Sequence, residues 1–262
     1  MSDWLHNLPL TWMALVVFGF TYLLAGAIYA GVVVLAVGQR AKSFRAVSAA
    51  ILAPLGIIFG LFVAFTAAQV WSDSDHASAA VSREASALRS ITLLAGAFPG
   101  ESETRLRGLV RDYIQQAADV EWPLMAREAA SLKTTPRPLA DALQLVLSMT
   151  TSGPGQQTAQ HEMVSAIKSA LDARRQRIIV SRSEVNLLKW ACLYLQAASA
   201  LLAFAVVHAD NRLAAIIAMG LYATGIAASV LLIAAHDRPF TGEISVSAEP
   251  LLQVMPDAPA AK

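Results

Sequence analysis

The chain has 262 residues, of which 56% are apolar and only 15% are charged, with a formal net charge of +1. That is poorer in charge than an ordinary soluble domain, and the charges are segregated rather than mixed. A single cysteine, Cys192, excludes an intramolecular disulfide and reads as a small apolar side chain in a membrane helix.

Four stretches carry no charged side chain: Leu8–Gln39, Ala46–Ser72, Trp190–Val207 and Leu213–Ala235. A helix needs about 20 apolar residues to cross about 30 Å of hydrocarbon, so each is read as a membrane span. The first span is predicted from Pro9 to Val37, with Trp4 and Trp12 at the interface. It is not a signal peptide. Met1–Pro9 has Asp3 and no basic residue, and the apolar run is about twice an h-region of 7–15 residues. A basic link with Arg40, Lys42 and Arg45 follows. The second span is predicted from Val47 to Trp71, with a kink at Pro54 and a Gly56/Gly60 pair suited to close helix contact.

Beyond Asp73, apolar residues recur at helical spacing at Val81, Ala85, Leu88 and Ala95. No turn signal occurs before Pro99–Gly100, so one long helix is predicted from the second span to near Phe98. A second polar helix covers Ser102–Glu121, and Pro123 should break or bend it. A third opens at Pro136 and Pro138. Gly153–Pro154–Gly155 is a loop, and a fourth helix runs from near Gln157 to Ile178. Ser181–Glu184 fits a capping box that would start the helix of the third span. The link His208–Arg212 leads to the fourth span, which Pro239 stops. The Pro/Ala-rich tail Ala248–Lys262 is read as disordered.

The expected fold is therefore an all-α membrane protein with four transmembrane helices in two hairpins. Residues 1–72 form the first hairpin and 190–236 the second. Residues 73–189 form an all-helical polar bundle continuous with the spans, and 237–262 a docking segment and tail. With an even number of spans, the bundle and both termini share one side. The short links carry Arg40, Lys42, Arg45 and Arg212; the bundle side carries Arg83, Arg89, Arg174, Arg175, Arg177, Arg182, Lys189 and Arg238. The total places the bundle in the cytoplasm under the positive-inside rule, although the first helix alone argues the reverse.

Enzyme signals are absent. His161-Glu162 begins like a zinc-protease helix, but Ser165 stands where the second histidine is needed. The histidines show no ligand spacing; His76 beside Asp75 reads as a hydrated pair rather than a metal site. No phosphate loop or nucleophile elbow occurs, and neither a cofactor nor nucleic acid is expected. Arg174, Arg175 and Arg177 could attract an anion or anionic lipid, or serve as an orientation signal on a solvated face. Phe59, Phe62 and Phe65 are candidate pore-lining rings that would gate by dewetting; facing lipid is the alternative. Glu121-Trp122-Pro123 is a packing anchor at a helix end. The segment from Asp237 to Gly242 looks like a docking element folding back on the bundle.

The chain resembles the bacterial bestrophin-like domain family. The matching residues are Trp71, Ala77, Glu84 and Ala85; Tyr113 with Glu121, Trp122 and Pro123; Arg174 to Arg177; and Asp237, Arg238, Pro239, Phe240, Thr241 and Gly242. They cover nearly the whole chain in order. The resemblance implies a homo-oligomeric, chloride-type anion channel of the inner membrane, pentameric like bestrophins, with its neck on the second span and a cytoplasmic bundle. The short tail lacks an acidic run, so calcium gating is not implied. The alternative is a non-conducting membrane sensor or scaffold acting through the bundle.

Overall fold

The computed structural model describes residues 8–36, 44, 47–133 and 135–257. Trp4, Val37 and the link residues Arg40, Lys42 and Arg45 lie outside the described residues. The described residues form helices and connecting turns, with no strand among them. The order is α1 (Leu10–Leu35), a short 3₁₀ turn (Ala49–Ile51), α2 (Leu52–Ala95), α3 (Glu101–Gln116), a π-turn (Ala117–Glu121) and α4 (Trp122–Ala126). Then follow α5 (Arg137–Ser148), α6 (Pro154–Val180), α7 (Leu187–Val207), α8 (Arg212–His236) and α9 (Glu249–Leu252). Among the described residues four helical stretches are long and apolar enough to cross a membrane: α1, α2 with its preceding turn, α7 and α8.

Two compact units result. The first contains the chain up to Ser72, Glu184–Arg238 and Gly242–Ile244; the second contains Asp73–Ser183, Pro239–Thr241 and Ser245 onward. In the first unit α1 lies against α7 and α8, and α7 lies against α8. Its core draws Met13 and Val17 from α1, Phe59 and Val70 from α2, Leu193 and Leu201 from α7, and Ile226 and Val230 from α8. Lys189 donates to the Gln69 amide oxygen. Asp237 Oδ1 accepts the Val185 N–H at 2.6 Å, and Arg238 Nη2 meets Glu184 Oε2 at 3.0 Å. These bonds fix where the chain enters α7 and leaves α8.

The second unit packs α3 against α5 and α5 against α6. Leu88, Ile91, Leu106, Val110, Ile114, Leu139, Met163 and Ile167 are fully buried there. The core stripes follow the helical period: Leu106, Val110, Tyr113 and Ala117 recur at three- and four-residue steps.

Several boundaries differ from expectation. Pro54 sits in the first turn of α2, where a missing N–H costs nothing, so it starts the helix rather than kinking it. Added Cβ atoms on Gly56 and Gly60 would meet nothing within 4 Å; among the described residues the pair makes no close helix contact. The Gly153 loop ends sooner than expected, because Pro154 is accepted at the start of α6. The Ser181 capping box is not used. Ser181 ends α6, Glu184 turns to Arg238, and Asn186 caps α7 by accepting the Leu188 N–H at 3.0 Å. The tail docks on the second unit: α9 buries Leu251, and Arg111 Nη1 donates to the Pro256 carbonyl at 2.9 Å. Leu251, with Val254 and Met255 packed on the same core, and the Pro256 carbonyl dock a segment whose Pro/Ala-rich composition alone reads as disordered.

Candidate functional site

The most polar part of the second unit is also its most buried. Glu84 on α2 and Arg177 on α6 are both completely excluded from solvent. Arg177 Nε donates to Glu84 Oε2 at 2.7 Å and Nη2 to Glu84 Oε1 at 3.0 Å, a two-pronged pairing. Its Nη2 also reaches Glu121 Oε2 at 2.8 Å, and Nη1 lies 3.4 Å from the Met125 sulfur. Arg174, one turn earlier on α6, directs Nε and Nη2 to Glu121 Oε1 at 2.8 and 2.7 Å. The Tyr113 hydroxyl donates to Glu84 Oε1. Two carboxylates and two guanidinium groups thus cancel in charge.

Local structure explains how the groups converge. Arg174 and Arg177 are three apart and share one helix face; Arg175 lies on the exposed face. Glu121 is the last residue of the π-turn that separates α3 from α4. One wide turn shifts the helix register and brings Glu121 into the core, while Pro123 is taken into the first turn of α4. The expected break at Pro123 is therefore a π-turn just before it. The adjacent Trp122 places its ring 4.6 Å beneath the Arg177 guanidinium carbon, a cation–π contact strengthened by desolvation.

Trp122 also holds the segment after α8. Phe240 meets it edge-on, with centroids 5.7 Å apart at 83°. The indole Nε1 donates to the Val246 carbonyl at 3.0 Å. Thr241 Oγ1 donates to the Ala126 carbonyl at 2.9 Å, and the Val246 N–H closes the loop onto Pro239 O at 2.8 Å. Gly242 has φ +88°, a backbone region where a Cβ is disfavoured, so glycine lets the segment reverse.

Electrostatics follow from this burial. Burial, then the Glu84 charge, pushes the Tyr113 hydroxyl well above its ordinary value. For Arg177, burial alone would lower the pKa, but Glu84 reverses this and holds it above the ordinary value. The network contains no nucleophile beside a base, and no group of three or more metal-ligating side chains occurs among the described residues. Its chemistry is that of a fastener: charge-assisted bonds that fix α2, α3, α6 and the π-turn in one register.

The residues expected to be structural are brought together here: Glu84, Tyr113, Glu121, Trp122, Pro123 and Phe240. Asp237 and Arg238 instead act in the first unit, and Trp71 is 46% exposed. The expectation for Arg174 and Arg177 is corrected: they are ion-paired inside the bundle and do not form an exposed basic patch at the membrane surface. Only Arg175 keeps that position. Phe59 packs in the first unit's core with its ring centroid 5.9 Å from Tyr222, which corrects its assignment as a pore ring. Phe62 is half-buried, and Phe65 is 67% exposed. No sequence pattern marks Met125 or Val185, because a thioether and a backbone amide carry none, and Glu184, expected in a capping box, pairs with Arg238 instead. The inward turn of the arginines did have a signal. Ile167, Ala170, Arg174, Arg177 and Ile178 fall on one helical stripe, and its other members are buried and apolar.

A helical membrane protein with a buried ion-pair core and a docked segment after its last span is the class that these features define. The chain matches the model of the Bestrophin-like domain over residues 9–251 and belongs to that family. No curated protein matches it significantly. Among solved structures it is similar to two point variants of a bacterial bestrophin homologue from Klebsiella pneumoniae. One has a TM-score of 0.72 and 13% identity over 91% of this chain and 97% of that one. The other has a TM-score of 0.70 and 12% identity over 91% and 96%. A structure described as a membrane protein gives a TM-score of 0.70, with 12% identity over 92% and 99%. At these identities the likeness concerns the fold.

Proposed function

We propose that this chain forms a homo-oligomeric anion channel of the bacterial inner membrane, a ring of about five subunits around an axial pore. The observation that carries the reading is the exposure of the second span. Its apolar window is only 11% buried within the chain, against 22% for the first span and 33% for each of the last two. That surface has to meet lipid, a neighbouring subunit or a pore. Family membership favours the last two. Phe65 is the candidate constriction, with half-buried Phe62 beside it; an apolar ring there would gate by dewetting. The bundle and both termini are assigned to the cytoplasm, where anionic lipid favours their excess of Lys and Arg.

The test begins with the mass of the protein in lipid nanodiscs, followed by chloride flux from liposomes. A closed ring that conducts chloride, with flux altered in Phe65→Ala, is expected. A stable monomer or dimer removes the symmetry axis that the pore requires. It would leave a non-conducting sensor or scaffold. A reporter near Gln156 checks the side: an external signal reverses the orientation.

A further inference from the structure

A cleft of ≈ 370 Å³ opens in the second unit between the π-turn, the loop after α4, the start of α5 and α6. That is the size of many small-molecule sites, which combine apolar walls with a few placed polar groups. Arg174 lines this cleft. Its side chain is only 9% exposed, and its Nε and Nη2 are both engaged by Glu121 Oε1. Among the described residues Nη1 of Arg174 has no hydrogen-bond partner. A second guanidinium, Arg137 at the start of α5, lines the same cleft and is exposed. The Glu121 carboxylate, already paired with Arg174 and Arg177, the hydroxyls of Ser131 and Thr135 and the amide of Gln116 complete its polar lining.

Charge selects the ligand. Glu84 and Glu121 cancel Arg174 and Arg177, so Arg137 leaves the site with a net charge of one positive. A monoanion balances it. The guanidinium fork matches the two-oxygen geometry of a carboxylate as it does that of a phosphate, so the apolar wall makes the choice. The remaining wall is Val120, Leu124 and Ile178 with the smaller Ala129, Ala130 and Pro136, which an inorganic ion would leave wet. We propose that the cleft binds a small monocarboxylic acid, its carboxylate held by Arg174 and Arg137 and its alkyl part against Val120, Leu124 and Ile178. The proposal is independent of ion conduction.

The test is isothermal titration of butanoate into the full chain in lipid nanodiscs at constant ionic strength, with inorganic phosphate and chloride titrated separately. Saturable butanoate binding is expected, weakened about tenfold or more in Arg137→Gln through loss of a charge-assisted contact. A second variant, Ala129→Phe, fills the cleft without changing its charge and should weaken binding as well. Both positions are exposed, so both variants should keep the parent melting temperature. Three results would overturn the proposal: no saturable heat, unchanged affinity in both variants, or phosphate or chloride binding at least as tightly as butanoate.

Discussion

In the unit of apolar helices, α7 and α8 bury only apolar side chains, among them Leu193, Leu201, Ile226 and Ile233 beside Ala197, Ala223 and Ala227. The polar unit buries the same kinds of side chain and adds Arg174, Arg177, Glu84, Glu121 and Tyr113. The contrast follows from the two solvents. Inside lipid a charged side chain is costly, so these spans bury none and are held together by apolar packing. Where water is the solvent, apolar burial drives collapse but does not by itself choose a register. A satisfied ionic network can choose it, because a slipped helix would strand a buried charge. That role is the best-attested use of such networks.

The largest expected effect comes from breaking this network on one side only. Arg177→Met leaves Glu84 without its two-pronged partner and Glu121 with one of its two cations. Removing one member of a buried pair costs about 3–5 kcal/mol. Thermal unfolding followed by circular dichroism should show a melting temperature many degrees lower. Arg177→Lys should recover little, because an ammonium cannot reproduce the fork to Glu84 or stack on Trp122 in the same way. A melting temperature unchanged in Arg177→Met would mean that the network contributes no stability, and the comparison between the two units would collapse.

Tyr113→Phe gives a smaller effect with a pH signature. A hydrogen bond to a charged group contributes about 1.5–3 kcal/mol, and the variant loses that donor to Glu84. The phenol's folded-state pKa lies well above the ordinary 10.0. As pH rises past the ordinary value, the unfolded chain releases this proton while the folded chain retains it. The unfolded state then binds fewer protons, so stability falls with rising pH. The contribution is complete below the ordinary value and is lost above it. The parent protein should therefore lose melting temperature more steeply than Tyr113→Phe above about pH 10. Parallel slopes would show that Tyr113 titrates as freely in the folded state as in the unfolded one.

Periodicity reveals most of the fold and only half of this site. The uncharged runs show the spans directly, since crossing lipid needs length and apolarity and little else. Leu106, Val110 and Tyr113 show their buried face in the same way. Arg174 and Arg177 do not, because a charge on an apolar stripe has two explanations: an exposed flank or a buried partner. The partners Glu84 and Glu121 are 93 and 56 residues away from Arg177, and no local pattern links them. The π-turn is hidden for a related reason: one extra residue per turn changes no composition. The docked tail is hidden because a few residues, Leu251, Val254 and Met255, hold it without a periodic pattern.

The smallest effect tests the segment that supplies chain to both units. Gly242–Ile244 belongs to the first unit, while Pro239–Thr241 and Ser245 onward belong to the second. Gly242 reverses the chain at φ +88°, so a side chain there is strained whatever the surrounding space, at about 1–2 kcal/mol. Gly242→Ala should therefore cost less than the loss of Arg177 or Tyr113, and its effect should be local. The Val246 amide, bonded to Pro239 O across the reversal, should exchange its hydrogen faster. Amides in the middle of α8 and at Leu88 in the polar core should keep their protection, because neither rests on that turn. Loss of protection throughout the polar unit would instead show that docking of this segment is a condition for the buried network to form, and the two kinds of packing would then be one cooperative structure.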